Sequence, residues 1–130
     1  MLYAHPMERD TTQRRAILHA LGESGRPLSA REILEGSRRR APNIGIATVY
    51  RTLRDLGVEV AKVELPGKAP RYEMAGKAHH HHFLCERCGK VYELDGCLDG
   101  IKGLLPRGFR MRSHEVILHG RCSGCTRSGR

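Results

Sequence analysis

Two pairs of cysteines constrain the fold of this chain more than any other feature of its sequence. Cys85 and Cys88 form one C-x-x-C pair, Cys122 and Cys125 form the other, and 33 residues separate the two pairs. A C-x-x-C turn directs two sulfurs at one point, and two such turns complete the tetrahedral four-cysteine site that structural zinc prefers. The spacing therefore predicts a structural Zn(II) site whose closing loop holds at least a strand and a helix. Unrelated thiol pairs or a redox pair are the alternatives.

The composition favours a small folded chain with an anionic partner. The chain has 130 residues, 39% of them hydrophobic, and a formal net charge of +9. This length makes one ordinary domain or two very small ones. The charge makes nucleic acid the first hypothesis, with a generally basic surface as the alternative. No apolar stretch approaches a membrane span and the N-terminus lacks an apolar signal region, so we expect a cytoplasmic protein without a membrane partner, in which thiols bind metal.

The first 75 residues have the order of elements of a winged helix-turn-helix. Helices are predicted over about 12–21, after Thr11 or Thr12 as the N-cap, and over about 30–39, after a capping box of Ser29 and Glu32. A third helix is predicted over Ile46–Leu56. An alternating strand follows over 58–65, and a turn at 66–68 leads to a return strand that begins near Arg71.

The third helix is the candidate recognition helix. Its apolar residues recur at helical spacing, which predicts a buried stripe of Ile46, Val49, Tyr50, Leu53 and Leu56. This stripe leaves an outer face of Thr48, Arg51, Thr52 and Asp55. Arg51 on such a face contacts DNA or solvent, and Tyr50, near the stripe, belongs either to the core or to the DNA interface.

The composition changes after a short hinge at residues 76–78. Strands are predicted over 79–84 and 90–94, a short helix over 97–105 and a strand over 109–119, with the second C-x-x-C pair after it. The predicted fold class is therefore α+β. An N-terminal winged helix-turn-helix (1–75) precedes a small α/β unit (79–130) that holds the four-cysteine site.

Four consecutive histidines, His79 to His82, open the second unit. Side chains alternate faces along a strand, so His80 and His82 share one face while His79 and His81 share the other. Each pair can offer two imidazoles to one metal, and the alternative is a polar edge strand with solvated rings. The further candidate ligands are Glu73, Glu93, Asp99 and His114. Cys97 is expected to be a small buried hydrophobic residue, with a ligand or redox role as the alternative.

Taken together, these pieces resemble the ferric uptake regulator family over about 11–125. The pieces are Thr12-Gln13-Arg14, Gly45 to Arg51, Arg71-Tyr72-Glu73, the histidine run with Cys85-x-x-Cys88-Gly-Lys, and His119-Gly-x-Cys122-x-x-Cys125. The resemblance implies a cytoplasmic, metal-dependent repressor of metal-uptake genes that binds a palindromic operator in double-stranded DNA. It also implies a homodimer whose C-terminal unit is the dimerisation domain.

The resemblance also implies roles for individual residues. Arg14, Tyr50 and Arg51 match DNA contacts. The four cysteines match a structural zinc site. Glu73, His80, His82 and Glu93 match a regulatory metal site. His79, His81, Asp99 and His114 match a second metal site. One departure is Pro27, which stands where family members often place a histidine ligand, so the regulatory set has four protein ligands or recruits Glu64.

The regulatory set contains no thiolate, and carboxylate with imidazole suits Fe(II) or Mn(II), with Zn(II) as the alternative. Zinc-uptake and peroxide-sensing regulators of the same family are alternative functions, and no enzymatic activity is expected. Outside the family, the alternatives are a zinc-supported, metal-dependent nuclease and a structural zinc protein that binds RNA or protein.

Overall fold

A computed structural model describes residues 11–127, without the side chain of Thr11. The chain divides into two units, with the boundary between Gly76 and Lys77. The expected hinge at 76–78 spans this boundary. Among the helices of the described residues, none combines the length and the apolar character that crossing a bilayer requires.

The N-terminal unit consists of three helices and a two-stranded wing. Its elements are α1 (Thr11–Glu23), α2 (Ala30–Ser37), α3 (Ile46–Leu56), a 3-10 turn (Gly57–Glu59), β1 (Val60–Leu65) and β2 (Lys68–Met74). The strands pair antiparallel, and Leu28 adds an isolated bridge to Tyr72 through backbone bonds of 2.9 and 2.7 Å. The order of elements confirms the predicted winged helix-turn-helix. The differences are a longer first helix, a shorter second helix, and a 3-10 turn where the first strand was expected to begin.

The second helix begins where the capping box predicts. The Ser29 hydroxyl accepts a hydrogen bond from the Glu32 amide at 3.1 Å, and Glu32 accepts one from the Ser29 amide at 2.9 Å. The Arg26 guanidinium donates to the other oxygen of Glu32 at 2.7 Å. Burial alone would raise the pKa of Glu32, but these hydrogen bonds and the charge of Arg26 outweigh it, and the pKa is lowered.

The buried face of α3 differs from the predicted stripe. The buried residues are Val49, Thr52, Leu53 and Leu56, which follow an i, i+3, i+4, i+7 pattern. Ile46 and Tyr50 are 38% and 52% exposed. The prediction was therefore wrong for Thr52, which was expected outside, and for Ile46, which was expected inside. Tyr50 had been assigned either to the core or to the DNA interface, and its exposure excludes the core. The helix is rotated so that Thr52, a small β-branched residue, packs inward while the tyrosine ring lies on the surface.

A single apolar cluster fills the N-terminal unit. It joins all three helices to the wing through Ala16, Ile17, Leu21, Leu28, Ala30, Ile33, Leu34, Ala41, Ile44, Val49, Leu53 and Tyr72. This cluster holds α3 in place with Tyr50 and Arg51 exposed.

The C-terminal unit has a three-stranded sheet. Its elements are β3 (His80–Cys85), β4 (Val91–Asp95), a 3-10 turn (Ile101–Leu104), β5 (Ile117–Gly120) and α4 (Ser123–Arg127). The strand order is β4-β3-β5, with β4 antiparallel and β5 parallel to the central β3.

Two elements of this unit were predicted too long. The helix expected over 97–105 is a single 3-10 turn, because left-handed Gly96 and Gly100 interrupt the chain before it. The strand expected over 109–119 is confined to Ile117–Gly120. The segment before that strand follows Gly108, a further glycine with positive φ.

Candidate metal centres and nucleic-acid interface

The four cysteines converge as their spacing predicts. The Sγ atoms of Cys85 and Cys125 are 3.7 Å apart, and those of Cys88 and Cys122 are 3.9 Å apart. All four sulfurs lie within 4.8 Å of one another. A tetrahedral zinc with bonds of about 2.3 Å separates its sulfurs by about 3.8 Å. The cluster therefore has the dimensions of a structural zinc site.

Backbone amides prepare one of these sulfurs for metal binding. The amides of Cys88 and Cys122 each donate to the Cys85 Sγ at 3.4 Å. These bonds lower the pKa of Cys85 to about 5. Burial and the neighbouring thiols raise the pKa of Cys125 to about 12. Because four ionised sulfurs repel one another, a cation is needed to keep them all in the thiolate form.

The histidine run presents its rings on two faces of β3, as the alternation of a strand predicts. The ring centroids of His80 and His82 are 4.8 Å apart, and those of His79 and His81 are 4.5 Å apart. Because β3 is the central strand, side chains on each of its faces lie beside side chains of β4 and β5 on the same face.

The His79/His81 pair belongs to a cluster that also contains Cys97 and His114. The Cys97 Sγ lies 2.9 Å from the Nε2 of His114 and 3.3 Å from the Nε2 of His81. The His79 Nε2 lies 3.1 Å from that of His81 and 3.2 Å from that of His114. Three of the four residues expected for the second metal site are therefore together.

The fourth expected member, Asp99, does not belong to this cluster, and Cys97 stands in its place. The expectation of a buried Cys97 is also wrong, because this residue is exposed. The turn at Gly96, whose φ is +97°, directs the chain after β4 back towards the histidines. The sequence feature that could have indicated Cys97 as a member of this cluster is that it is the fifth cysteine, outside the two C-x-x-C pairs, and lies two residues after the end of β4.

His81 is held neutral within the cluster. It is 5% exposed, and burial followed by the nearby histidines lowers its pKa. Its Nδ1 accepts a hydrogen bond from the Val116 amide at 3.1 Å. A neutral imidazole with an accepting Nδ1 carries its proton on Nε2, the nitrogen that faces Cys97.

The residues expected to form the regulatory site come from both units. In the C-terminal unit, Glu93 pairs with His82 across β3 and β4, so both side chains lie on the same face. The Glu93 carboxylate accepts a 2.7 Å bond from the Lys77 ammonium. In the N-terminal unit, Glu73 is 5% exposed on β2, Pro27 is buried, and Glu64 is exposed on β1.

The residues expected to contact DNA lie in the N-terminal unit. Tyr50 and Arg51 are exposed on α3, and the Arg51 guanidinium donates to the Thr48 hydroxyl at 3.1 Å. Exposure of Tyr50 removes the core alternative. The Arg14 guanidinium, on α1, donates to Glu59 at 3.4 Å. This exposed ion pair contributes little to the stability of the fold. Arg14 can therefore leave Glu59 and bind a DNA phosphate with little loss of free energy.

A winged helix-turn-helix joined to a unit with a four-cysteine cluster and a two-faced histidine run defines a class of metal-binding regulators of transcription. The model of the ferric uptake regulator family matches residues 8–119. The chain belongs to this family.

Individual relatives agree with this assignment. A ferric uptake regulation protein of Bacillus subtilis is 35% identical over 125 residues, which cover 88% of this chain and 83% of the relative. The ferric uptake regulator structure from Helicobacter pylori, described as having three functional metal-binding sites, has a TM-score of 0.70 and 28% identity, over 92% of this chain and 86% of that one. A zinc uptake regulator complexed with zinc and DNA has a TM-score of 0.59 and 28% identity, over 93% and 85%.

The protein is therefore a metal-dependent transcriptional regulator, as the sequence predicted. The comparisons do not support the nuclease alternative. Since the relatives include both ferric and zinc regulators, family membership alone leaves the regulatory metal to be inferred from the ligands.

Proposed function

We propose that this protein is a homodimeric, metal-activated repressor of metal-uptake genes. It binds a palindromic operator in double-stranded DNA, acts in the cytoplasm and catalyses no reaction. The activating metal is held by Glu73, His80, His82 and Glu93. The observation that carries the proposal is the position of the paired histidines, which begin only four residues after the boundary between the two units.

The donor set suits Fe(II) or Mn(II). Two carboxylates balance the charge of a divalent cation, and two imidazoles add neutral nitrogen donors, a combination typical of these metals. The metal replaces the Lys77 ammonium on Glu93, so one cation is exchanged for another at this position.

Metal binding would act on DNA affinity by restricting the relation between the units. Glu73 lies before the boundary and the other three ligands lie after it. A metal with ligands on both sides of the boundary limits the orientations that the N-terminal unit can adopt. A larger fraction of dimers then presents both recognition helices correctly, and the apparent affinity for the operator rises in proportion to that fraction.

The exposed face of α3 would read the operator. In a twofold dimer the two copies of α3 enter major grooves about 34–36 Å apart, or a multiple of this distance, which requires an inverted repeat. Arg51 is suited to the edge of a guanine, and Tyr50 supplies apolar contact or a hydrogen bond. A zinc uptake regulator with a related fold has been observed with DNA.

Exposed apolar side chains of the C-terminal unit support its role as the dimerisation domain. Four large apolar side chains are 48–80% exposed in this small unit: Leu98, Leu104, Phe109 and Leu118. Burial of large exposed apolar side chains against another protein surface is favourable, which suits them to an interface. A second copy of the chain would bury them and supply the twofold symmetry that a palindromic operator requires.

A pair of double variants tests the regulatory site. Operator duplexes selected from random DNA are titrated by fluorescence anisotropy, with zinc kept at the four cysteines and with Fe²⁺, Mn²⁺ or Zn²⁺ added separately. Wild-type affinity should rise about 5–150-fold with Fe²⁺ or Mn²⁺, the usual range of allosteric coupling. His80→Ala with His82→Ala should abolish this rise and leave the structural zinc in place.

The matched control is His79→Ala with His81→Ala, which removes the two rings on the other face of the same strand. This control should reduce the metal-dependent rise in operator affinity less than the His80/His82 double variant does. If the control loses the response and the His80/His82 variant keeps it, the regulatory role belongs to the other face. If only Zn²⁺ activates, the choice of iron or manganese is wrong.

A further inference from the structure

The family resemblance implies a second metal site at His79, His81 and His114 with an acidic fourth ligand. We propose that Cys97 takes the place of that acidic ligand, and that its thiolate makes the site select zinc or a similarly thiophilic divalent cation. The site shares no residue with the regulatory set proposed above. Its donors are three nitrogens and one sulfur, whereas the regulatory set has two nitrogens and two carboxylates. The protein would therefore distinguish two classes of metal on the two faces of one strand.

The distances between the four donor atoms suit a tetrahedral ion. Bonds of about 2.0–2.1 Å to nitrogen and 2.3 Å to sulfur separate neighbouring donors by about 3.3–3.6 Å. Four of the donor pairs lie at 2.9, 3.1, 3.2 and 3.3 Å. A movement of a few tenths of an ångström in each side chain opens the cluster to this size.

The four donors are not equivalent, because His81 also bonds to the backbone. Its Nδ1 accepts from the Val116 amide, which keeps the proton on Nε2. To bind the cation through Nε2, His81 must move that proton to Nδ1 and give up the bond to Val116. The ion is therefore bound mainly by His79, Cys97 and His114. His81 is the fourth ligand and contributes less to affinity, because its binding breaks the hydrogen bond to Val116.

Cys97 determines which cation is preferred. A thiolate favours zinc and other thiophilic ions over Fe²⁺ and Mn²⁺, which prefer oxygen donors. Binding replaces the thiol proton by the cation, so one proton is released for each ion bound. One thiolate and three neutral imidazoles leave a net charge of +1 with a divalent ion.

The thiol is also accessible to an incoming ion. Cys97 is exposed, and it borders an open cleft with apolar walls formed by Leu94, Leu98, Val116 and Leu118. His81 lies at the same cleft. An ion can reach the sulfur from solvent, while the apolar walls limit competition from water around the bound ion.

Cobalt(II) spectroscopy tests the ligand assignment directly. The chain has five cysteines, and four belong to the four-cysteine cluster. Once zinc fills that cluster, Cys97 is the remaining thiol. Co²⁺ is added to zinc-loaded protein that carries His80→Ala and His82→Ala, and the zinc content is measured before and after. One equivalent of Co²⁺ should produce a sulfur-to-cobalt charge-transfer band and the intense visible bands of tetrahedral cobalt.

Two single variants test whether the charge-transfer band comes from Cys97. Cys97→Ser should abolish the charge-transfer band without loss of structural zinc. Asp99→Asn, the matched control two residues away, should leave the band unchanged. Cobalt binding without the band, or loss of the band only in Asp99→Asn, would overturn the proposal.

Affinity measurements rank the ligands. Competition with a zinc chelator should show about a tenfold or larger loss of Zn²⁺ affinity at this site in Cys97→Ser, since even partners of ligands commonly change affinity by 10–100-fold. The loss of Zn²⁺ affinity should be smaller in His81→Ala than in His114→Ala. Zinc should also protect Cys97 from alkylation by iodoacetamide. Unchanged zinc affinity in Cys97→Ser, or alkylation at the same rate with zinc bound, would refute a thiolate ligand.

Discussion

The C-terminal unit should unfold when zinc is removed from the four cysteines, while the N-terminal unit stays folded. The perturbation is Cys122→Ser, which removes one ligand and leaves three thiols around the site. Cys97→Ser provides a matched control, because it removes a thiol from the same unit without touching the four-cysteine cluster.

The distribution of buried side chains gives the magnitude. Of the eighteen buried hydrophobic residues in the described chain, fifteen lie in the N-terminal unit. The described part of the C-terminal unit contributes Leu84, Cys85 and Val91. Full burial of Leu84 and Val91, which pair across β3 and β4, is worth about 3–6 kcal/mol together. Structural zinc is worth about 10–16 kcal/mol at pH 7 in small zinc domains, so the metal is the larger contribution.

Hydrogen exchange followed by mass spectrometry measures each unit separately. In Cys122→Ser, amides of β3 and β5 should lose their protection, and those of α1 and α3 should keep it. The Cys97→Ser protein should match the wild type in both units when only one equivalent of zinc is supplied, which fills the four-cysteine cluster. Retained protection of β3 in zinc-free Cys122→Ser protein, as a dimer, would show that apolar burial alone holds this unit and would refute the reasoning.

Three further predictions concern the N-terminal unit. Arg51→Ala should reduce discrimination between operator and random DNA by about 1–3 kcal/mol, measured by competition binding, and unchanged discrimination would show that Arg51 does not read a base. Arg14→Ala should weaken binding to all duplexes alike and reduce the salt dependence of binding; selective loss of operator binding would contradict a phosphate contact. The lowered pKa of Glu32 stabilises the fold above its ordinary value of about 4.3, and this stability is lost as the pH falls through the lowered value. Glu32→Gln should therefore flatten the pH dependence of urea unfolding between pH 7 and 3, whereas an unchanged profile would assign that dependence to other groups.

The N-terminal helices could be predicted from the sequence because local signals agree there. The capping box at Ser29 and the apolar spacing of Ile46–Leu56 each place a helix where the structure has one. The orientation of α3 could not be predicted as well, because hydrophobic character ranks Tyr50 above Thr52. Thr52 is 5% exposed and Tyr50 is 52% exposed, and which face of α3 lies inward depends on its packing in the tertiary structure.

The C-terminal unit was harder to predict because its segments have few local signals. The segment from Gly96 to Gly108 is rich in glycine, and without periodicity its course depends on the side chains that it must bring together. The four-cysteine cluster could be predicted, because the geometry of two C-x-x-C turns leaves few alternatives. Cys97 was missed because a lone cysteine is usually buried and because the resemblance favoured the neighbouring Asp99.

Strand β3 and the residue before it contribute ligands to all three candidate metal sites. The run from His79 to Cys85 contributes ligands to the His79/His81 cluster, to the proposed regulatory site and to the four-cysteine cluster. A slip of one residue in its pairing would exchange the two histidine pairs between faces. The register is held on both sides, by β4 opposite Leu84 and by β5 opposite Cys85. Because zinc binds Cys85 at the end of this strand, the structural metal also fixes which histidines face which set of ligands. Loss of that zinc should therefore impair both histidine sites together, although neither contains any of its ligands.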